Sequence, residues 1–544
     1  MICRLLVAGL KSFLQARAQL ARWCVCGAVV GLFTWNVSLF YLPGQAFTYL
    51  IEFGTKEDPR YLPEVKRANH YEMPDSPGYD SQWYAQIAMH PRLGDPVLAR
   101  AVDNLPYRAR RILFEWTAWL IGGGDPTRAM DAYAFQNIFC WYALAYLLFR
   151  WFPPISWGNC FRWAGVLCSF GLIFSVRAAL LDGPSLLLLL LGMVLVERGR
   201  TWWAAALLGV SGLGKDTNVL AATIFAPEGP PDRRRWFRAA GQVALVVAPL
   251  GLWIAVIGRW LGASVEVGRR NFLPPFAGLV EKAGDIVSSL LAHGYPRPAV
   301  IDYDLLVLVG LLAQFFFFLL RPRWRDTWWR LGAGYAFLMI FLGDAVWESY
   351  PSAASRVLLP MTMAFNVLVP RKGWWWAVLL LGNLGMVAAP DLLKPPGHEN
   401  LMVDGPVELR INPGNNAQVT VAFGKKNWWD MEGSRWGSFR WSMGDSVVTL
   451  HNPLPFPIEA DVHFGVRSVD ARGAKVSAHG HVIWQDQLQP GKVLGVVIRG
   501  VLMPQGDTEL LFQSDRPAAY PGNGDLRHLT FSVRDFEIDL KERR

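Results

Sequence analysis

Hydrophobic residues in this chain follow two regimes that meet near Pro390. Before that point they gather into apolar runs at Trp23–Tyr41, Ala132–Leu148, Trp163–Val176, Pro184–Val196, Trp202–Gly212, Asn218–Pro227, Ala239–Ile257, Leu305–Leu320, Leu331–Leu342, Val357–Pro370 and Trp374–Ala389. Read as spans, these predict about eleven transmembrane helices, several of them short of the ~20 residues a straight crossing requires. After Pro390 the period falls to two, at Gln418–Phe423, Ser446–Leu450, Ala460–Val466 and Leu529–Val533, with Asn-Pro, Pro-Gly and Gly-Asp turn pairs between. Short alternating strands bounded by turns predict an all-β sandwich. The expected fold is a polytopic α-helical membrane domain over 1–390 followed by a β-sandwich over 391–544.

Composition agrees: 52% of the 544 residues are hydrophobic and only 18% charged. Lys and Arg gather in cytoplasmic loops. With Arg4, Lys11, Arg17 and Arg22 inside, alternation of the spans places Arg150, Arg162, Arg198, Arg200, Arg233–Arg235, Arg321–Arg330, Arg371 and Lys372 inside as well. Arg259, Arg269 and Arg270 are the exception. The register predicts a cytoplasmic N-terminus, a large first outer loop at 42–130 and an outer C-terminal domain. The first apolar run lacks a small-residue cleavage site and reads as a retained anchor. The net charge of +9 follows from this bias, and nucleic-acid binding is not expected. All six cysteines, Cys3, Cys24, Cys26, Cys140, Cys160 and Cys168, lie in or beside early spans, so the outer domain has no disulfide framework. Zinc-type ligand spacing is absent.

Ionisable residues near hydrocarbon are costly and mark functional sites. Arg177 and Asp182 fall at the junction of the third and fourth spans, Lys215 and Asp216 interrupt the fifth and sixth in Gly212-Leu-Gly-Lys-Asp-Thr217, and Asp344, Glu348 and Arg356 lie between the ninth and tenth. The topology places all of them on the outer side. The short fifth and sixth spans read as helices that stop partway, which requires protein or a water-filled cavity around the freed backbone; alternatively Lys215 reaches the interface beside Asp216. In the first outer loop, Asp80 and Asp103 sit among aromatic and polar neighbours, followed by Arg108, Arg110 and Arg111. A carboxylate suits a general base, and arginine suits a phosphate. Asp80 also reads as a helix cap before Ser81-Gln82-Trp83-Tyr84, and the arginines as a solvated basic face or as lipid headgroup contacts. In the outer domain, Trp428, Trp429, Glu432, Arg435, Trp436, Arg440 and Trp441 read either as a sugar-stacking surface or as buried core.

Gly78-Tyr79-Asp80-Ser81-Gln82-Trp83-Tyr84 is similar to the Tyr-Asp-Gly-Gln-Phe-Tyr type segment of bacterial C-type glycosyltransferases, polytopic enzymes that take a sugar from a polyprenyl-phosphate carrier at the outer side of the membrane. Asp103-Asn-Leu-Pro-Tyr-Arg-Ala-Arg-Arg-Ile-Leu113, Leu213-Gly-Lys-Asp-Thr217 and Arg356-Val-Leu-Leu-Pro360 extend the likeness over roughly residues 20–390, with Ser81 where glycine is usual and Asp216 in place of glutamate. The resemblance implies an inverting glycosyltransferase of the bacterial inner membrane, its C-terminal domain periplasmic or extracellular. Asp80 would be the catalytic base, and Asp103 a second catalytic acid that positions substrate or helps hold a divalent metal ion, which some members use and others do not. Arg110, Arg111, Lys215 and Arg356 would bind the donor phosphate; Tyr79, Gln82, Tyr84, Asp182, Asp216 and Glu348 would contact substrate. Its partners would be a polyprenyl-phosphate-linked sugar, an extracytoplasmic glycan, lipid or protein acceptor, and membrane lipid.

Two other classes compete. A flippase or transporter of lipid-linked glycan would show inverted repeats and polar groups near the midplane in both halves; the sequence has no such repeat, and its charges gather at one face. A non-catalytic scaffold would leave the outer charges without a purpose.

Overall fold

The computed structural model describes residues 2–41, 45–54, 57, 60–68, 70–73, 76–227, 232–261, 269–292, 299–347, 353–394, 405–412, 415–424, 427–434, 437–490, 492–521 and 527–542. The chain divides into two compact units, Met1–Met73 with Pro77–Lys394, and Pro74–Ser76 with Pro395–Arg544. The first is helical: α1 (Ile2–Ser38), α2 (Pro63–Arg67), α3 (Asp80–Met89), α4 (Pro96–Ala101), α5 (Leu105–Arg108), α6 (Leu113–Ile121), α7 (Pro126–Leu148), α8 (Trp157–Leu167), α9 (Phe170–Arg177), α10 (Asp182–Glu197), α11 (Thr201–Gly212), α12 (Arg233–Leu261), α13 (Ala277–Ala292), α14 (Ala299–Leu320), α15 (Thr327–Phe341), α16 (Asp344–Trp347), α17 (Ala354–Val357), α18 (Leu359–Leu368), α19 (Trp375–Gly382) and α20 (Ala389–Leu392).

Among the described residues, three helices are long and apolar enough to cross a membrane: Arg17–Ser38 within α1, α12 and α14. Two bent pairs, α8 with α9 and Trp375–Gly382 with Leu384–Leu392, raise the number to five. Eleven crossings are therefore not established. Of the other expected spans, Ala132–Leu148 falls on α7, with 23 residues, and others on shorter elements, such as α10, α11 and α15 with 16, 12 and 15 residues. The run at Asn218–Pro227 is a 3₁₀ helix, Asp216–Phe225. Such a long 3₁₀ stretch is unusual, and α15 supports it from outside. Tyr335 donates to the Thr217 carbonyl at 3.0 Å, and Arg330 donates to the carbonyls of Ile224 and Ala226 at 2.9 and 2.7 Å. Side chains thus supply donors to carbonyls that regular helical bonding would otherwise satisfy.

The first loop is a packed layer, not a flexible connection. Leu50, Ile51, Phe53, Leu62 and Val65 are fully buried and belong to the same core as the helices. A buried ion pair ties it down: Arg177, at the end of α9, donates to Glu52 at 2.8 Å. The Arg177 guanidinium also covers the rings of Phe40 and Tyr49 at 5.0 and 4.7 Å. Arg177, singled out in the sequence as a costly charge, is thereby paired inside the protein.

The second unit, taken by itself, is all β. With β1 (Phe53–Gly54) and β2 (Glu72–Met73) in the first unit, its strands are β3 (Gly405–Asn412), β4 (Asn415–Phe423), β5 (Glu432–Ser434), β6 (Gly437–Trp441), β7 (Ser446–Asn452), β8 (Ile458–Ser468), β9 (Arg472–Ala478), β10 (His481–Leu488), β11 (Leu494–Met503), β12 (Gly506–Ser514) and β13 (Phe531–Glu542). They form a six-stranded sheet in the order β10-β9-β12-β7-β4-β3 and a five-stranded sheet in the order β11-β8-β13-β6-β5. Alternate positions of β7 are buried, as the period-two pattern requires. Val448, Leu450, Val462, Phe464, Val476, Phe512, Val533 and Phe536 share one core. Trp428 belongs to that core and donates to the Val447 carbonyl, and Trp441 is buried. Trp429 is half-buried, with Arg527 over its ring and paired to Glu432. Arg435 and Trp436 lie outside the described residues.

Candidate active site

Asp80 owes its position to the turn before α3. Gly78 has φ +72, and a Cβ there would overlap the Gln82 side chain, so glycine is required on both counts. Ser81 donates to the Ile51 carbonyl, and the Tyr79 amide to Glu52 at 3.0 Å. The Gln82 amide oxygen accepts from Tyr61 at 2.6 Å and from the Gly54 amide at 3.2 Å, while its nitrogen donates to Pro77 at 2.8 Å. These bonds fasten the start of α3 to the loop. The N-cap is Tyr79, without a side-chain capping bond, so Asp80 is not the cap. Its carboxylate stands in the first turn, where the helix dipole favours negative charge.

Arg108 organises the acidic side. It donates to Asp80 Oδ1 at 2.9 Å and grips Asp103 with two bonds, at 3.0 and 2.7 Å. Asp103 also accepts from the Asn104 amide at 2.7 Å. Among the described residues no hydrogen bond from protein reaches Asp80 Oδ2, and 42% of that side chain is exposed. Burial pushes the Asp80 carboxyl up, but Arg108, Arg356 and Arg111 outweigh it and hold it below the usual carboxylate value. It is therefore ionised at neutral pH, with one oxygen accessible.

The short helix α5, capped by Asn104 through the Tyr107 amide at 3.0 Å, runs into a 3₁₀ turn at Ala109–Arg111. This change of winding sends the arginines different ways. Arg108 turns to Asp80 and Asp103, whereas Arg110 and Arg111 reach Asp216 at 3.6 and 3.4 Å. Arg111 also donates to Tyr84 at 2.9 Å. The segment is clamped against the Lys215 hairpin: the Leu113 amide donates to Leu213 at 3.1 Å, and a Cβ on Gly214 would lie 2.5 Å from the Phe114 ring.

On the far side, Asp182 at the start of α10 pairs with both Lys215 and Arg356, the latter at 3.2 Å. Arg356 also donates to Tyr79 at 3.4 Å and lies over the Phe174 ring. Around them is a cavity of about 340 Å³, within the range of small-ligand sites. Tyr79, Asp80, Tyr84, Arg110, Arg111, Asp182, Lys215, Asp216 and Arg356 line it, facing an apolar wall of Leu180, Leu181, Phe272, Leu338, Leu342, Val346 and Val357. Residues from 79 to 357 thus converge on one amphipathic pocket.

Two expected site residues that the structure describes are not in its lining, and a third is not described. Gln82 is buried, and its amide is engaged in holding the turn. Asp103 is one step removed and acts on Arg108. Glu348 lies outside the described residues. Conversely, Tyr107 and Asn271, joined by a 3.2 Å bond, line the pocket unforeseen. Asn271 follows a stretch without periodicity, and nothing in the sequence signals its return to Tyr107. Among the described residues no group of three or more His, Cys, Asp or Glu is placed to hold a metal ion. Asp80 and Asp103 do not fit one in this arrangement, because the Arg108 cation bridges them.

The charges are arranged in groups. Asp216 has two cationic neighbours, Arg110 and Arg111, and Asp182 has two, Lys215 and Arg356. Each trio carries one net positive charge toward the cavity. The Asp80–Arg108–Asp103 group carries one net negative charge. A pocket with these charges suits an anion held close to a proton acceptor.

No protein-family model matches the sequence, and no curated protein matches it. Among solved structures, the chain is similar to the cryo-EM structure of arabinosyltransferase EmbB from Mycobacterium smegmatis, with 12% identity and a TM-score of 0.36 over 96% of this chain and 65% of that one. The chain thus spans less than two thirds of that protein's length.

Proposed function

We propose that this protein is a membrane glycosyltransferase that moves a sugar from a polyprenyl-phosphate donor to an extracytoplasmic glycan, lipid or protein hydroxyl, with Asp80 as general base. The observation that carries the reading is the pairing of an accessible, ionised Asp80 with two net-positive trios around one half-apolar cavity.

The acceptor oxygen attacks the anomeric carbon while the bond from that carbon to the phosphate oxygen breaks. The acceptor proton passes to Asp80 Oδ2, and the carrier leaves as a phosphate monoester. The donor phosphodiester has one negative charge and the departing monoester approaches two, so the two trios stabilise the transition state more than the ground state. The wall of Leu180, Leu338, Leu342 and Val346 suits the first prenyl units of the carrier. Attack from the face opposite the leaving phosphate inverts the anomeric centre.

The test is turnover of a polyprenyl-phosphate sugar by purified protein. Asp80→Asn keeps the shape but cannot take the proton, and transfer should fall by about 10²–10⁴-fold while the thermal transition stays in place. Normal turnover by that variant would refute the role of Asp80. Translocation of the lipid-linked sugar across vesicles without release of carrier phosphate would favour a transporter instead.

A further inference from the structure

At the other end of α18 from Arg356, a second cavity of about 110 Å³ opens beside the first turn of α8. Its lining includes Ser156, Asn159, Arg162, Arg371 and Trp376, and contains two guanidinium groups and no carboxylate. Arg162 is 2% exposed. Its terminal nitrogens donate to the carbonyls of Asn366 and Pro370, which end α18 and the segment after it, so the partial negative charge of a helix C-terminus holds the group in place. Those carbonyls satisfy donors but not the full charge. No acidic side chain pairs with Arg162 among the described residues, and its Nε–H has no partner. A buried cation without a counter-ion is strongly unfavourable. Arg371, exposed, lines the same cavity.

Two further features bear on the ligand. Ser156 caps α8, accepting from the Asn159 amide at 3.2 Å, so the positive end of an eleven-residue helix faces this region. Asn159 Oδ1, buried, has no donor among the described residues, which suits a hydroxyl carried beside the anion. From these residues we propose that the cavity binds a phosphate-bearing group, with Arg162 and Arg371 on its oxygens and Asn159 accepting from a neighbouring hydroxyl. The Lys and Arg distribution assigns this end to the cytoplasmic leaflet. The proposal is separate from the transfer reaction and stands or falls without it.

The same chemistry is offered by an anionic phospholipid headgroup and by a soluble phosphate, and one experiment separates them. Purified full-length protein is unfolded thermally with short-chain phosphatidylglycerol, with phosphatidylcholine of equal chain length, or with inorganic phosphate. The comparison is repeated for Arg371→Gln, for Arg162→Lys and for Arg198→Gln, an exposed arginine elsewhere. Stabilisation by phosphatidylglycerol over phosphatidylcholine, weakened about tenfold in apparent affinity by Arg371→Gln and unchanged by Arg198→Gln, identifies a lipid headgroup. Saturable stabilisation by inorganic phosphate with the same variant dependence identifies a soluble anion. Arg162→Lys retains the charge but loses the planar fork and should weaken binding while the protein still folds. The proposal is overturned if inorganic phosphate does not stabilise the protein and phosphatidylglycerol does no more than phosphatidylcholine, or if Arg371→Gln and Arg198→Gln respond equally.

Discussion

At the scale of single residues, Arg108 sets the properties of Asp80. Its cation overcomes the effect of burial and, with Arg356 and Arg111, lowers the carboxyl pKa. With Asp80 in its proposed role as base, the acid limb of kcat/KM should therefore lie below the ordinary aspartate value, about 3.9. Arg108→Gln removes one lowering charge while desolvation remains, so the limb should move toward neutral pH as kcat falls. An unmoved limb in that variant would show that Arg108 does not tune the base. Glu115, fully buried one turn after Arg111, presents the opposite case. Among the described residues no other side chain bonds either of its oxygens, and burial pushes its carboxyl well up. Burial favours the protonated acid, so Glu115→Gln should change stability by less than about 1 kcal/mol, since the amide has a similar shape and carries no charge. The sign of the pH effect is definite: a carboxyl raised in the folded state makes stability fall as pH rises from its unfolded pKa toward its folded one. Denaturation midpoints measured against pH should show that slope reduced in Glu115→Gln. Of these two residues, the sequence marks only Asp80, through its acidic and aromatic surroundings. Glu115 sits in an apolar run where helix periodicity alone does not reveal that the neighbouring helix closes over it.

At the scale of elements, the site depends on where short helices stop. The winding change from α5 into the 3₁₀ turn at Ala109–Arg111 separates Arg108 from Arg110 and Arg111. The long 3₁₀ helix from Asp216 places that carboxylate opposite them. The two segments meet where Gly214 packs against Phe114. Gly214→Ala inserts a methyl into that contact, and either the ring or the hairpin must shift. Overpacking of this kind costs about 1–3 kcal/mol. It should also pull Asp216 away from Arg110 and Arg111, raising KM for the donor more than it changes the affinity for acceptor; steady-state kinetics with each substrate varied would show it. The Gly212-Leu-Gly-Lys-Asp-Thr217 motif already announces a break in the hydrophobic pattern. That the next ten residues wind as a 3₁₀ helix is not written locally, because Arg330 and Tyr335, more than a hundred positions later, supply the donors that make it possible.

At the scale of the whole molecule, the chain combines two cores with different solvents. The β unit has its own buried set, from Val419 to Ile538, and residues 391–544 contain no cysteine. A fragment of that extent falls in the usual range for an independent domain. It should fold alone and unfold in one cooperative transition that reductant does not alter, as measured by circular dichroism. A fragment without a sigmoidal transition would show that its stability depends on the helical unit.

The sequence by itself determined the two regimes, the period of the strands and the identity of the charged residues that enter the pocket. These follow from local quantities: hydropathy over a window, alternation along a strand, and the cost of placing an ion near hydrocarbon. The tertiary structure decided which charges meet. Asp182 is joined to Arg356 across 174 positions, and Arg111 to Asp216 across 105. It also made Asp103 a support for Arg108 and enclosed Gln82 in a turn. Such pairings depend on how helices that stop short pack against one another, and no window of neighbouring residues contains that information.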